Sequence, residues 1–172
     1  MKIFVPDSYY KNIYDIDYDK LYKKKIKCIM FDLDNTLALI DEGVPPKKVI
    51  SFIKNLNKRF DTYIVSNNNK DRIEKFCSYF DSVFVSMAMK PLSRGFKIIR
   101  KIGNYDSREM CMIGDQLMTD VLGGNKFGCY TILVDPLGKK DLKITSFNRT
   151  LENIVLKRLS KKGILERGKY YE

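Results

Sequence analysis

The 172-residue chain contains no histidine. That absence excludes Ser-His-Asp triads, Cys-His dyads, phosphohistidine chemistry and histidine-ligated zinc. Any catalysis falls to Asp, Glu, Lys, Ser, Thr, Tyr and main-chain groups. Cysteine is sparse: Cys28, Cys77, Cys111 and Cys129 stand singly, without the close pairs of a zinc site, and three of them lie in apolar strand-like runs. They read as buried thiols. None is followed six positions later by arginine, so a cysteine phosphatase loop has no support. No window reaches the roughly 18 apolar residues of a membrane span, and the N-terminal apolar run is too short for a signal peptide, which predicts a cytoplasmic protein without a transmembrane segment. Internal repeats and low-complexity tracts are also absent.

What is present suits one soluble globular domain over 1–172, with 44% hydrophobic and 31% charged residues. The net charge of +11, with a pI of about 9.4, has two readings. It points to an anionic partner such as a phosphate ester, nucleic acid or acidic membrane, or it reflects a lysine-rich surface. The chain divides into a core over about 26–136, a tyrosine-rich N-terminal segment 1–25 and a basic, helical C-terminal segment 139–172.

Within the core, short apolar runs alternate with amphipathic segments. Strand candidates are "CIMFD" (28–32), "TYIVS" (62–66), "SVFVS" (82–86), "MCMIG" (110–114) and "YTILVD" (130–135). Helical spacing appears at Val49, Ile50, Ile53, Leu56 and Phe60, and again at Phe96, Ile99 and Ile102. A C-terminal helix is expected in "NRTLENIVLKRLSKKG", stopping near Gly163. The alternation predicts an α/β fold: a central parallel sheet of about five strands, flanked by helices on both faces, with ligand sites at the carboxyl ends of the strands. Asp32 and Asp34 close the first strand, Ser66 and Asn67 the second, and Asp115 the fourth, so one mouth collects them.

Asp32 and Asp34 are separated by one residue, which on extended chain points both carboxylates to the same side. Such a pair needs a compensating cation, or pKa values driven apart. It is not an EF-hand, because the sixth and twelfth loop positions are Leu37 and Gly43 where glycine and glutamate are required. Taken in order, "FDLDNTL", "VSNN", "KP" and "GDQLMTD" resemble the four motifs of the haloacid dehalogenase superfamily of phosphotransferases, with its Rossmann-like fold.

That resemblance implies a role for each residue. Asp32 is expected to attack phosphorus and form an aspartyl-phosphate, and Asp34 to serve as general acid and then base. Mg2+ is expected on the Asp32 carboxylate, the Asp34 carbonyl and Asp115. Ser66, Asn67 and Lys90 are expected to hold the phosphoryl group, with Lys90 also offsetting the clustered charge, Asp120 orienting Lys90 or a metal-bound water, and Thr36 bracing the Asp34 loop.

Only about 20 residues separate Leu37 from the second strand, and the span from Ser66 to Lys90 has room for a helix and a strand, so no large cap domain is expected. An uncovered mouth suits substrates whose bulk stays outside. More closely, "DLDNTL", "IVSNNN", "AMKPLSRGF", "IGDQLMTDVLGGNKFGCYTILVDP" and "NRTLE" are similar to the YqeG-type branch, in subclass IIIA of the superfamily. That branch is similar to phosphatases of phosphatidylglycerophosphate, which implies a lipid headgroup as substrate. The tyrosine-rich N-terminus and the basic helix are candidates for peripheral contact with an anionic membrane at the inner face. The alternatives are a soluble phosphate ester, or a basic nucleic-acid- or ribosome-associated module with secondary phosphatase activity.

Overall fold

The computed structural model describes residues 2–80, 82–138 and 143–172, without the side chains of 143–149. Six strands form one sheet: β1 (Ser8–Tyr10), β2 (Cys28–Phe31), β3 (Asp61–Val65), β4 (Val83–Val85), β5 (Met110–Gly114) and β6 (Tyr130–Val134). Their order is β1-β6-β5-β2-β3-β4, and every pairing is parallel. A central parallel strand is covered on both faces, so its sequence is a continuous apolar run. β2 obeys this: "CIMF" is completely buried along its length.

Alternation along β2 feeds two cores. Ile29 and Phe31 pack with Ile53 of α2 (Lys47–Leu56) and with Ile73 and Phe76 of α3 (Lys70–Cys77). Cys28 and Met30 face the other layer, with Phe96 and Ile99 of α4 (Arg94–Gly103). Full burial of side chains of this size contributes roughly 1.5–3 kcal/mol each. All four cysteines are buried and free.

The sheet has six strands where about five were expected, and the additional one is β1. β1 comes from the tyrosine-rich N-terminus and pairs with β6, Ser8 opposite Ile132 and Tyr10 opposite Val134. Tyr9 is fully buried and donates its hydroxyl to Asp135, Tyr10 is buried, and Tyr14 and Tyr18 pack edge-on against Phe52. Of these and Tyr22, only Tyr22 is exposed: Tyr9 and Tyr10 are buried, and Tyr14 and Tyr18 are half-buried against the core.

The C-terminal helix α6 (Lys143–Ser160) begins five residues before the expected start and ends before Gly163, whose φ is +65°. Leu159 is buried against Tyr9, Leu117 and Leu133, while Lys157 and Arg158 face solvent. The first residues of the expected basic C-terminal segment, 139–142, lie outside the described residues. Between β2 and β3 stands only α2, and between β3 and α4 only α3 and β4, so neither position carries a large cap. Among the described residues no helix is long and apolar enough to cross a membrane.

Candidate active site

β2 ends at Phe31, and Asp32 is the first residue beyond it, its N–H donating to the Ile113 carbonyl of β5 at 2.9 Å. The chain then turns sharply: Asn35 adopts left-handed backbone (φ 62°), a conformation asparagine tolerates better than most residues, and Leu37 N–H returns to the Leu33 carbonyl. Thr36, buried in this turn, donates to Asp115 Oδ1 at 3.3 Å.

Two further loops close on Asp32. The Asn67 amide grips the main chain of Lys90 from both directions: Nδ2 donates to the Lys90 carbonyl at 2.9 Å and Oδ1 accepts from its N–H at 2.7 Å. The Lys90 side chain is thereby placed under the sheet's mouth, with Nζ 2.7 Å from Asp32 Oδ1 and 2.7 Å from Asp120 Oδ1. Ser66 is buried, and its Oγ accepts from Asn68 N–H at 3.1 Å.

After β5 the chain passes Asp115 and enters a π-helical turn, Leu117–Val121, which continues into α5 (Leu122–Phe127). Wide turns of this kind occur often at functional sites. Here the turn carries Asp120 back over the strand end, where its Oδ2 accepts from Gln116 N–H at 3.1 Å. Gly114 makes the room: a Cβ there would overlap the Asp120 carboxylate.

Carboxylate oxygens of Asp32, Asp115 and Asp120 lie within 4.8 Å of one another, and all three residues are buried. Lys90 is a single positive charge among these three acids. Burial would push the Lys90 ammonium down, but Asp120 and Asp32 outweigh it and hold it above its ordinary value. Burial pushes the Asp32 carboxyl up to about 7, Lys90 opposes this, and Asp120 and Asp34 add to it. An all-oxygen donor set with surplus buried negative charge fits a hard divalent cation better than a soft one.

The Asp34 carboxylate stands outside that group. Arg72 Nη2 and Nε lie 2.6 and 3.2 Å from its Oδ1, and Asn68 Nδ2 lies 3.1 Å from its Oδ2. Arg72 and Asn68 were not legible as site residues. The available signal was an arginine in the first turn of α3, where the helix dipole disfavours a cation unless an anion waits nearby. A third missed residue is Glu152 of α6, whose buried Oε2 accepts from Leu117 N–H at 2.9 Å and anchors the π turn from outside the motifs. The site therefore gathers Asp32, Thr36, Ser66, Asn67, Lys90, Asp115 and Asp120, with Asp34 at its rim.

Comparison with known proteins bears on the family and the fold. A family model described as HAD-hydrolase-like matches residues 84–154. The chain is 39% identical over 168 residues to the probable phosphatase YqeG of Bacillus subtilis, covering 96% of each chain. It is 27% identical over 173 residues to phosphatidylglycerophosphate phosphatase 1 of Arabidopsis thaliana, covering 93% of this chain and 49% of that protein. Among solved structures, the cobalt-bound deoxy-D-mannose-octulosonate 8-phosphate phosphatase of Haemophilus influenzae superposes with a TM-score of 0.53 at 15% identity, over 83% of this chain and 92% of that one. With near-complete coverage by a 39% identical relative and a matching family model, the chain belongs to the haloacid dehalogenase-like hydrolases, as a phosphatase of the YqeG type.

Proposed function

We propose that the whole chain, 1–172, works as one domain that hydrolyses a phosphate monoester through an aspartyl-phosphate on Asp32. The observation that carries this reading is Lys90 Nζ at 2.7 Å from both Asp32 and Asp120, with Asp115 in the same buried cluster. In the first step an Asp32 carboxylate oxygen bonds to phosphorus as the ester P–O bond breaks, and a proton held by Asp34 passes to the departing alcohol. In the second, Asp34 takes a proton from water as that water's oxygen bonds to phosphorus, releasing inorganic phosphate and restoring the Asp32 carboxylate.

Asp32, Asp115 and the Asp34 main-chain carbonyl are the residues that would hold Mg2+, which when bound neutralises phosphoryl charge so that an anion can approach an anion. Lys90 supplies fixed positive charge to the same phosphoryl oxygens, and Asp120 keeps it aimed. Ser66 supplies a hydroxyl, and Asn67 contributes its main-chain N–H while its side chain holds the Lys90 loop. Thr36 fixes Asp115.

The substrate we infer is the phosphate of a lipid headgroup, phosphatidylglycerophosphate, met at the cytoplasmic face of a membrane. Support comes from similarity to the plant phosphatase along 93% of this chain and from a mouth without a large cap. Phosphate release with Mg2+ should be compared on phosphatidylglycerophosphate in mixed micelles, sugar phosphates, nucleotides and phosphopeptides, with Asp32→Asn as the control. Hydrolysis of the lipid in preference to the rest is expected, and preference for a soluble ester would reject the lipid assignment.

A further inference from the structure

Around the mouth, large apolar side chains point outward. Leu39 and Val44 lie in the loop after β2, Met87, Met89 and Leu92 in the loop after β4, and Leu137 in the segment after β6, each between 41% and 58% exposed. In a parallel sheet these loops share one end, and main-chain bonds tie neighbours together: Leu137 N–H to the Asn35 carbonyl at 2.9 Å, and Met87 N–H to the Asn68 carbonyl at 3.0 Å. Water-facing residues of this size at one end of a fold mark an interaction surface more than a packing accident.

The backbone of the β4 loop is arranged to hold two of them outward. Met87 and Met89 both adopt left-handed backbone, with φ of 45° and 58°, while Ala88 between them is fully buried. Non-glycine residues persist in that region only where surrounding structure enforces it, and such strain concentrates at functional sites. Arg94 reinforces the loop by donating to the Met87 carbonyl at 3.1 Å. Two flexible, unbranched thioether side chains are thus presented to whatever meets the mouth, and methionine suits an irregular, soft partner.

Charge on the same end selects that partner. Helices following parallel strands begin beside the mouth, and α2 and α4 carry no acid in the first turn. Instead exposed Lys47 and Lys48 open α2, and exposed Arg94 and Lys97 open α4, all against the helix dipole. Asp41, Glu42 and Asp71 are acids nearby, with Glu42 occupied with the Leu39 N–H at 2.9 Å, while Asp34 at the rim is paired with Arg72 and Asp135 after β6 is held by Tyr9, Tyr170 and Arg167. Apolar tips interleaved with cations match an anionic bilayer, where the former enter the acyl boundary and the latter meet headgroup phosphates.

We propose that this rim is the surface by which the enzyme docks on an anionic bilayer, bringing the mouth down onto the phosphate of a lipid. The proposal rests on the lipid-phosphatase reading above and adds to it the face that touches the membrane. It assigns the contact to the loops around the site, in place of the N-terminal tyrosines and the C-terminal helix.

The test uses the full chain with two sets of vesicles, pure phosphatidylcholine and phosphatidylcholine containing about 30% phosphatidylglycerol, read by flotation. Binding to the anionic vesicles only is expected, weakening as salt rises. The triple variant Met87→Ser, Leu92→Ser and Leu137→Ser should lower binding by about tenfold or more. A second variant, Lys47→Glu with Lys97→Glu, should lower it comparably at low salt. Both should keep wild-type melting temperature and wild-type hydrolysis of a small soluble phosphate ester.

Anionic-vesicle binding that the two variants leave unchanged would overturn the proposal, as would no binding by the wild type. Concentration-dependent self-association lost in the triple variant, without vesicle binding, would assign the rim to a second copy and also overturn it. If vesicles bind as expected but phosphatidylglycerophosphate is not hydrolysed, the docking surface stands and the substrate reading fails.

Discussion

Arg72 and Asn68 hold the Asp34 carboxylate from two sides, the guanidinium on Oδ1 at 2.6 Å through Nη2 and the amide on Oδ2 at 3.1 Å. A carboxyl group that must deliver a proton to one oxygen and take one back from water benefits from a fixed orientation, and a planar guanidinium provides that better than a flexible ammonium. Arg72 is placed here as a positioning residue for Asp34. Arg72→Ala is expected to lower kcat by roughly 10- to 100-fold with little change in KM. The loss should be larger for alkyl phosphates, whose leaving alcohol needs a proton, than for an aryl phosphate with an acidic leaving group. Equal losses on both substrates would assign Arg72 to the fold alone.

Asp32 makes the metal-free protein pH-sensitive in a definite direction. Its carboxyl stands at about 7 when folded against an ordinary value of 3.8, because burial disfavours the charged form. The stability tied to the neutral carboxyl is therefore complete below about 3.8 and is lost as pH rises through about 7. Without divalent cations, the melting temperature should fall across that window. Asp32→Asn should flatten the fall and melt higher than wild type near pH 8, while releasing no phosphate. Lys90 remains paired with Asp120 in that variant, so no buried cation is stranded. Magnesium should raise the wild-type melting temperature more than that of the variant. Thermal scans with and without magnesium measure both, and a variant melting below wild type at high pH would contradict the sign.

Gly114→Ala places a methyl group where the Asp120 carboxylate now sits. The strand end cannot yield without moving β5, so Asp120 must swing away from Lys90. Overpacking of this kind costs about 1–3 kcal/mol, and hydrolysis should fall with it. Gly43→Ala is the control, since nothing lies within 4 Å of a Cβ there. Denaturant midpoints and phosphate release on the two variants separate a general glycine effect from the specific collision.

Much of this architecture was legible because it is local. β2 and β5 are continuous apolar runs, β3 ends in the apolar run Tyr63–Val65, all three are followed by polar groups, and α2 and α4 carry their buried residues at helical spacing. The acidic strand ends then meet at one mouth by topology alone. What escaped depends on distant partners. β1 has three residues, too few for a period, and exists because β6 offers an edge more than 120 residues later. The N-terminal tyrosines carried no sign of which side they face until that pairing buried them. Arg72 reaches Asp34 across 38 positions, and Glu152 reaches Leu117 across 35. No spacing rule in one sequence connects such pairs.

Glu152 ties the C-terminal helix to the turn that carries Asp120. Its side chain, 2% exposed, accepts the Leu117 N–H at 2.9 Å and an Arg167 Nη2 bond at 2.6 Å. Leu117 opens the π turn that carries Asp120, so α6 caps the fourth motif from outside. Glu152→Ala leaves the Leu117 N–H buried without this acceptor and frees one arm of Arg167. A loss of about 1–3 kcal/mol follows from the stranded donor, with the partly exposed Arg167 pair adding little. Glu152→Gln retains an amide oxygen for Leu117 and should recover most of the stability. If the turn positions Asp120, the alanine variant should also lose kcat at temperatures where it remains fully folded, and the glutamine variant should regain it. Retained kcat in folded Glu152→Ala would make α6 a packing element only.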